Sequence, residues 1–480
     1  MILQNVLTMY KKKFKSETIE ISSKWQRADH LYYINDIIKN NTVVIDSLFN
    51  ILDIVNNSHI KTNNKNTMIN IANRYSDPFS SEGRKTIEEK YKAQFVDKPK
   101  RKVCYFSLCP SFSCNLACTY CFEEDYNIKH KKVINRENLK IALEKIKIEI
   151  LRIREKEPET DIKLELFGGE PIQRSNISIV EIYLNFAREQ KCSVSIVTNG
   201  YELRDHVLTL IKYRDVISQI SLTLDGPENI HNSMRVTQNN KGSFEKITEA
   251  IDLYLRLKIN VSVATNVCRE NINSLKDLFE FYYKKNWINY PNFTAYIGQV
   301  ASRTSKKIKS NVLYEGEILE KILKIFPDKK SKWLKASFLK ITEQIASSLG
   351  VSFGQNEYGK AKYHYCWSSS PIYCGYYFGP NLETYRCVVS VGNQKYSLGD
   401  IRNVNYKSFS SSIFNRNIFS NKDCLTCNIG GFCSGGCVLE RLCRGKQMCQ
   451  YEHNCFEDFV NRIVKSQLKN LLSNKEFVTK

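Results

Sequence analysis

The chain has 480 residues, 42% of them hydrophobic, and a formal net charge of +21. That length accommodates two to four domains, and no run of about eighteen apolar residues exists to span a bilayer. The start, Met1 to Ser16, has too short an apolar patch before Lys11-Lys12-Lys13 for a secretory signal, so a soluble cytoplasmic protein with no membrane partner is expected. In a reducing compartment, seventeen cysteines point to metal instead of disulfides. The basic charge raises nucleic acid as a partner. The lysines are scattered, however, and no recognition signature accompanies them, which argues against it. Solvated lysine faces or an acidic peptide partner account for the charge.

Residues 1–98 carry no cluster motif and read as a small α+β unit. Leu31 to Ile38, then Lys39-Asn40-Asn41, then Thr42 to Ile45, reads as a hairpin, because Asn tolerates the left-handed turn conformation. Asp46 or Ser47 can cap a helix with Leu48, Ile51, Leu52 and Val55 on one face. A second helical pattern runs near Met68 to Tyr75, with Ile69, Ile71 and Ala72. A strand pair with a free edge would accept an extended peptide by β-augmentation, and otherwise the unit is a packing cap. Ser80 to Lys102 is polar and reads as a linker.

Residues 99–300 show a βα rhythm. Strand candidates are Val103–Cys109, Ile162–Phe167, Ser193–Val197, Ile217–Leu224, Ile259–Thr265 and Asn292–Tyr296. Helical patterns lie between them, the clearest capped by Asn135 with Leu139, Leu143, Ile146, Ile150 and Ile153 on one face. Others run Ile177–Arg188, Phe244–Leu257 and Leu275–Lys285. Six alternations imply an α/β fold of parallel strands, a partial (β/α)6 TIM-like barrel or an open sheet, with ligands at the carboxyl ends. The distinctive residues obey that rule. Cys114, Cys118 and Cys121 follow strand one, Gly168-Gly169-Glu170-Pro171 strand two, Thr198-Asn199-Gly200 strand three, and Asp225-Gly226-Pro227 strand four. Asn266 ends strand five, and Tyr296 to Gln299 end strand six.

Three cysteines at C-x₃-C-x₂-C spacing cannot close a tetrahedral site, but they can hold three corners of a [4Fe–4S] cluster and leave one iron open. The bland readings are a zinc site borrowing Cys109, or three buried thiols. Gly168-Gly169 lets backbone approach a ligand, and Glu170 offers a carboxylate for an ammonium. Cys114-Asn-Leu-Ala-Cys118-Thr-Tyr-Cys121, with Tyr120 before the last cysteine, resembles the motif of the radical S-adenosylmethionine (SAM) enzymes. The resemblance implies that the open iron chelates SAM and that Gly168, Gly169 and Glu170 hold its amino group. It also implies that Asn199 and Ser221 meet ribose hydroxyls and that Arg235 pairs with the SAM carboxylate. His231, in the same run, reads as structural or functional.

Residues 301–365 form a helical, Lys-rich connection, for instance Ile318, Leu319, Ile322, Leu323 and Ile325. Residues 366–480 are rich in cysteine: Cys366, Cys374, Cys387, then Cys424-x₂-Cys427-x₅-Cys433-x₃-Cys437, and Cys455. Two zinc sites are one reading, since four-Cys spacing does not distinguish zinc from iron–sulfur. The run resembles the SPASM domain of peptide-modifying radical SAM enzymes. That resemblance implies two auxiliary [4Fe–4S] clusters, one on Cys366, Cys374, Cys387 and Cys437, the other on Cys424, Cys427, Cys433 and Cys455. Cys443 and Cys449 lie inside the last gap and compete with Cys455 as ligands. Cys104, Cys109, Cys192 and Cys268 read as buried small hydrophobes.

Three clusters and SAM are thus the implied cofactors, with a low-potential donor such as flavodoxin or ferredoxin. The N-terminal unit resembles the winged-helix leader-recognition modules of peptide-modifying radical enzymes. The function implied is a maturase that abstracts hydrogen from a ribosomal precursor peptide and installs a thioether or other side-chain cross-link. An anaerobic sulfatase-maturing enzyme, forming formylglycine, is the alternative. A non-catalytic iron–sulfur electron carrier is a third reading, with no use for an open iron beside polar strand tips.

Overall fold

A computed structural model describes residues 31–38, 41–46, 51–56, 60–63, 66–69, 81–95, 103–123, 133–300, 310–326, 333–336, 364–366, 368, 373–404, 417–420, 422–445 and 447–466. The expected hairpin forms: β1 (Leu31–Ile38) pairs antiparallel with β2 (Asn41–Asp46), from Leu31 opposite Asp46 to Ile38 opposite Asn41.

The helix expected after it does not. Ile51–Asn56 is a third strand, β3, antiparallel to β2 from Asp46 opposite Ile51 to Asn41 opposite Asn56. Ile51, Ile54 and Val55 are β-branched, stiff at χ1 and suited to a pleated surface, and this outweighs a helical spacing only about two turns long. The second expected helix also gives way. β4 (Ile60–Asn63) and β5 (Asn66–Ile69) form another hairpin, which places Met68 and Ile69 on a strand. Leu48, Ile71 and Ala72 lie outside the described residues.

The expected linker contains helix α1 (Ser81–Phe95), whose Ile87 is buried with Ile418, Cys424 and Leu425. Its other faces carry i,i+4 pairs such as Arg84–Glu88 and Lys85–Glu89, a polar surface that hid the helix from an apolar-periodicity search. Among the described residues, the N-terminal unit therefore holds a three-stranded meander, a hairpin and a helix, in place of the expected strand pair followed by two helices.

From residue 103 the expected rhythm holds. The parallel strands are β6 (Val103–Leu108), β8 (Asp161–Leu166), β9 (Ser193–Val197), β10 (Ile217–Thr223), β12 (Val261–Val267) and β13 (Phe293–Gln299), with short strands β7 (Leu116–Cys118) and β11 (Arg235–Thr237) outside the sheet. Each parallel strand neighbours the preceding one, in the order β6-β8-β9-β10-β12-β13. A doubly wound sheet needs a reversal of that order, so this is the succession of a partial (β/α)6 barrel. Helices α2 (Arg136–Lys156), α3 (Ile177–Glu189), α4 (Phe244–Arg256) and α5 (Leu275–Lys284) lie in four of the five crossovers, and the fifth, from β9 to β10, holds only the short helix Val207–Ile211. Asn135 caps α2 by accepting from the Asn138 N–H at 2.7 Å, and Leu139, Ile146, Ile150 and Ile153 are buried beneath it.

The sheet also recruits later strands. β14 (Leu334–Ala336) extends it in parallel beyond β13. β15 (Tyr373–Phe378) lies parallel to β6 at the other side, followed by β16 (Glu383–Tyr385) and β17 (Gly399–Asp400). The cysteine-rich segment thus begins as part of the barrel sheet. Helix α6 (Glu315–Ile325) packs on helix α7 (Gln447–Phe459), so closely that a Cβ on Gly316 would lie 3.0 Å from the Phe459 Cα. Among the described residues, no helix is long and apolar enough to cross a membrane.

The meander docks on α7. Ile34 is buried in the main core, and the Tyr32 ring meets the Phe456 ring edge-on at 4.6 Å. A double-mutant cycle of Tyr32→Ala and Phe456→Ala, read by urea unfolding, is expected to give a coupling of about 0.5–1.5 kcal/mol, the range for a buried aromatic pair. Zero coupling would contradict the docking.

Candidate functional site

The chain leaves β6 at Leu108 and returns through β7, carrying Cys114, Cys118 and Cys121. Three residues in so short a strand cannot hold themselves. β11 holds β7 by antiparallel pairing, from Arg235 opposite Cys118 to Thr237 opposite Leu116. Gln238 reinforces it: its side-chain amide donates to the Cys114 carbonyl at 2.6 Å and its N–H to the Asn115 carbonyl at 3.2 Å.

The three cysteines line one cavity of about 780 Å³. Five strand ends face it with them: Gly168 and Gly169 after β8, Asn199 after β9, Thr223 on β10, Asn266 on β12 and Gln299 on β13. Five of the expected strand ends therefore line one cavity. Among the described residues, no three His, Cys, Asp or Glu side chains are gathered closely enough to hold a single metal ion. Cys109, one reading's fourth zinc ligand, is 1% exposed beneath the Gly168 turn, where a Cβ on Gly168 would lie 2.2 Å from its sulfur. Gly168 has φ +98° and Gly169 φ +48°, and a Cβ on Gly169 would meet the Ser113 carbonyl oxygen at 2.5 Å. Both positions therefore require glycine. Cys104, Cys192 and Cys268 are buried, as expected.

Glu170 is placed differently from the expectation. It is fully buried, and its carboxylate accepts from the Ile172 N–H at 2.7 Å, the Thr198 hydroxyl at 2.6 Å and the Asn199 N–H at 2.5 Å. The carboxylate is turned into the chain to join two strand tips, not toward a ligand ammonium. Burial pushes it up to about 7, against those three hydrogen bonds. Sequence reasoning missed Glu123, which lines the cavity, accepts from the Gly169 N–H at 3.1 Å, and is likewise raised by burial to about 7. The only signal for it was a carboxylate two residues past the last cysteine of the motif.

Tyr120 sits at the centre of a polar knot. Its hydroxyl donates to Asp225 and accepts from Arg235 Nη1 at 2.7 Å and Asn266 Nδ2 at 3.2 Å. Asp225 is fully buried and Arg235 lies 3.9 Å from it, facing the cavity. Arg235 Nε is buried without a hydrogen-bond partner, a free donor for an anionic ligand. The Asn199 amide donates to Asn115 Oδ1 at 2.7 Å and reaches Cys114 Sγ at 3.5 Å. Ser221 does not face the cavity. Its hydroxyl accepts from Gln219 at 2.9 Å, and Thr223, two residues on along the same face of β10, takes the expected place.

In the C-terminal segment, Cys366, Cys387, Cys437 and Cys443 share one apolar group with Tyr365, Tyr396, Val438 and Leu439. Val389 belongs to that group and also lines the cavity. Cys374 lies on β15, opposite Cys104 of β6. Cys424, Cys427 and Cys433 stand apart from that group, on the segment leading into α7.

His231 is structural. Its Nδ1 accepts from the Asp225 N–H at 3.2 Å, so the proton sits on Nε2, 3.0 Å from the Ser243 hydroxyl, which donates to the Arg235 carbonyl at 2.6 Å. Burial and Arg235 hold its protonation down at about 3. A depressed histidine contributes stability that is present above its unfolded value near 6.5 and is lost as pH falls toward 3. Relative to His231→Gln, the wild type is therefore expected to lose about 2 kcal/mol between pH 7 and pH 5 in urea unfolding. A pH-independent difference would contradict the locked neutral ring.

Residues 108–282 match the Radical SAM superfamily. The chain is 28% identical over 184 residues to a cysteine-type anaerobic sulfatase-maturating enzyme of Clostridium novyi (strain NT), covering 37% of this chain and 47% of that protein, about half its length. The solved structure of native anSMEcpe with bound AdoMet and Cp18Cys peptide superposes with a TM-score of 0.55 at 18% identity, covering 78% of this chain and 99% of that one. Streptococcus suis SuiB bound to its precursor peptide SuiA superposes with a TM-score of 0.53 at 12% identity, covering 89% and 97%. Both structural likenesses are of fold. The radical SAM family uses S-adenosylmethionine and a [4Fe–4S] cluster, and the clipped cysteine loop, the glycine turn and the free Arg235 donor fit such a pair of groups. The stretch that matches the Radical SAM superfamily, residues 108–282, thus lies within the partial (β/α)6 barrel that runs from β6 to β13.

Proposed function

We propose that the protein is a radical SAM peptide maturase that cross-links a ribosomal precursor peptide through a thioether or another side-chain bond. The observation that carries this reading is the single cavity in which Cys114, Cys118 and Cys121 face Gly168-Gly169 and Arg235, whose Nε has no hydrogen-bond partner. In it, the three thiolates would hold the cluster, Arg235 the SAM carboxylate, the Gly168-Gly169 backbone the amino group, and Asn199 and Thr223 the ribose hydroxyls. When bound, cluster and SAM supply a 5′-deoxyadenosyl radical able to abstract hydrogen from a substrate. The chain's own part is to orient these groups. Tyr120 and Asp225 fix the Arg235 guanidinium, and the buried Glu170 sets the distance between the tips of β8 and β9.

A peptide substrate is supported by the two likenesses in which the neighbour's structure holds a peptide. A cross-link is favoured because the SuiB likeness covers more of the chain and leaves fewer residues over than the 98 before the barrel, so it extends into the N-terminal unit. Among the described residues, β1 and β3 are the edges of the meander there, and such an edge would give an extended leader a strand to pair with. The second reading, formylglycine formation in a sulfatase, is favoured by the sequence similarity to the clostridial maturating enzyme. Auxiliary clusters in the C-terminal segment would accept the electron left on the oxidised substrate, and a flavodoxin or ferredoxin would supply the first one.

Iron-loaded, dithionite-reduced protein with SAM would be given Cys-bearing peptides from short reading frames beside the gene, and separately a Cys-bearing sulfatase-motif peptide. Loss of two hydrogens with the thiol consumed is the expected result. An aldehyde in place of the thiol would establish the second reading instead. Arg235→Lys keeps the charge but removes the planar fork, and is expected to weaken SAM binding about tenfold or more by equilibrium dialysis. Unchanged affinity would contradict the carboxylate assignment.

A further inference from the structure

Ten cysteines follow residue 365, two more than two four-cysteine sites require. Cys424, Cys427 and Cys433 flank one tight turn, in which the Gly430 N–H donates to the Cys427 carbonyl at 2.9 Å and a Cβ on Gly430 would lie 1.9 Å from the Cys424 carbonyl oxygen. A fourth ligand must come from α7, which carries both Cys449 and Cys455. Six residues at 3.6 per turn set these two about 120° apart around the helix, so they meet different surroundings.

Cys455 faces inward. It is 7% exposed and bonded to the Tyr451 hydroxyl, and the charges acting on it are Glu452, Glu315 and Glu440. Cys449 lies on the face of α7 that also carries His453, one turn on, and His453 Nε2 is 3.4 Å from Cys427 Sγ. Arg441 Nη2 reaches Cys449 Sγ at 3.7 Å, and the same guanidinium hydrogen-bonds Cys424, so one cation bridges the two thiols. Arg441 Nε is buried and has no hydrogen-bond partner, as expected of a donor beside an anionic group that the chain itself does not supply.

We propose that Cys449, not Cys455, is the fourth thiolate of the iron–sulfur site built on Cys424, Cys427 and Cys433, with Arg441 as its counter-charge. The proposal rests on the reading of this segment as iron-binding. It reverses the ligand that the SPASM resemblance implied, because helical phase decides which of two cysteines on one helix can reach the trio.

The test uses the full chain, iron-loaded anaerobically, with Cys114, Cys118 and Cys121 changed to alanine so that only C-terminal iron is counted. Iron, sulfide and Mössbauer spectra are compared for Cys449→Ala, Cys455→Ala, Cys449→Ser and Cys455→Ser in that background. Cys449→Ala is expected to lose about one cluster's worth of iron, about four atoms, and Cys455→Ala to lose none. If both alanine variants lose iron through poor folding, the serine variants decide. An alkoxide ligand alters the Mössbauer and EPR signature of one cluster only where it replaces a true ligand, which is expected at 449 and not at 455. Iron loss or spectral change at 455 alone, or full iron with unaltered spectra in every 449 variant, would overturn the assignment. A parent protein that takes up zinc but no C-terminal iron would overturn the iron–sulfur reading as well.

Discussion

The site depends on burying a charged knot under the cysteine loop. Asp225 and Arg235 are each nearly inaccessible, and a charge taken out of water costs several kcal/mol unless partners satisfy it. Here they do: the Tyr120 hydroxyl bridges the pair, the Asn266 N–H donates to Asp225 at 2.8 Å, and Asn271 donates to the Asp225 carbonyl at 2.7 Å. Because Tyr120 lies between Cys118 and Cys121, the knot fastens the loop to the ends of β10 and β12. The β7–β11 pairing fastens its other side. Four separated stretches of chain thus become one preorganised rim, with the arginine's remaining donor left for a ligand.

Much of this was legible, and the reasons differ by element. The barrel strands and crossover helices were readable because their apolar periodicity runs long enough to separate a period of two from one of 3.6. Ile51 to Val55 was not, since five residues with four apolar satisfy both periods, and pairing with β2 decided between them. The recruitment of β15 beside β6 joins segments far apart in sequence, and nothing local announces it. At the site, the glycine turn and the three cysteines were plain. Ser221 and Thr223 share a face of β10, so only depth along the strand separates them, and depth is a property of the assembled barrel. Glu170 was legible as a motif residue but not as an inward one. Its orientation follows from the Thr198 and Asn199 donors on the neighbouring strand tip.

The cysteine-rich segment is not an appendage. It supplies β15 to the barrel sheet, Val389 to the cavity wall and Phe456 to the ring contact with Tyr32. Its first apolar group, with Cys366, Cys387, Cys437 and Cys443, therefore touches the cavity through a single side chain.

The most direct test of the central claim is whether the reduced protein cleaves SAM. Iron-reconstituted wild type and the Cys114→Ala/Cys118→Ala/Cys121→Ala variant would be reduced with dithionite anaerobically, and 5′-deoxyadenosine would be quantified. The account predicts product from the wild type and none from the variant. A well-loaded wild type that yields none, even with candidate peptides present, would contradict it and leave the cysteines as an electron relay or a scaffold.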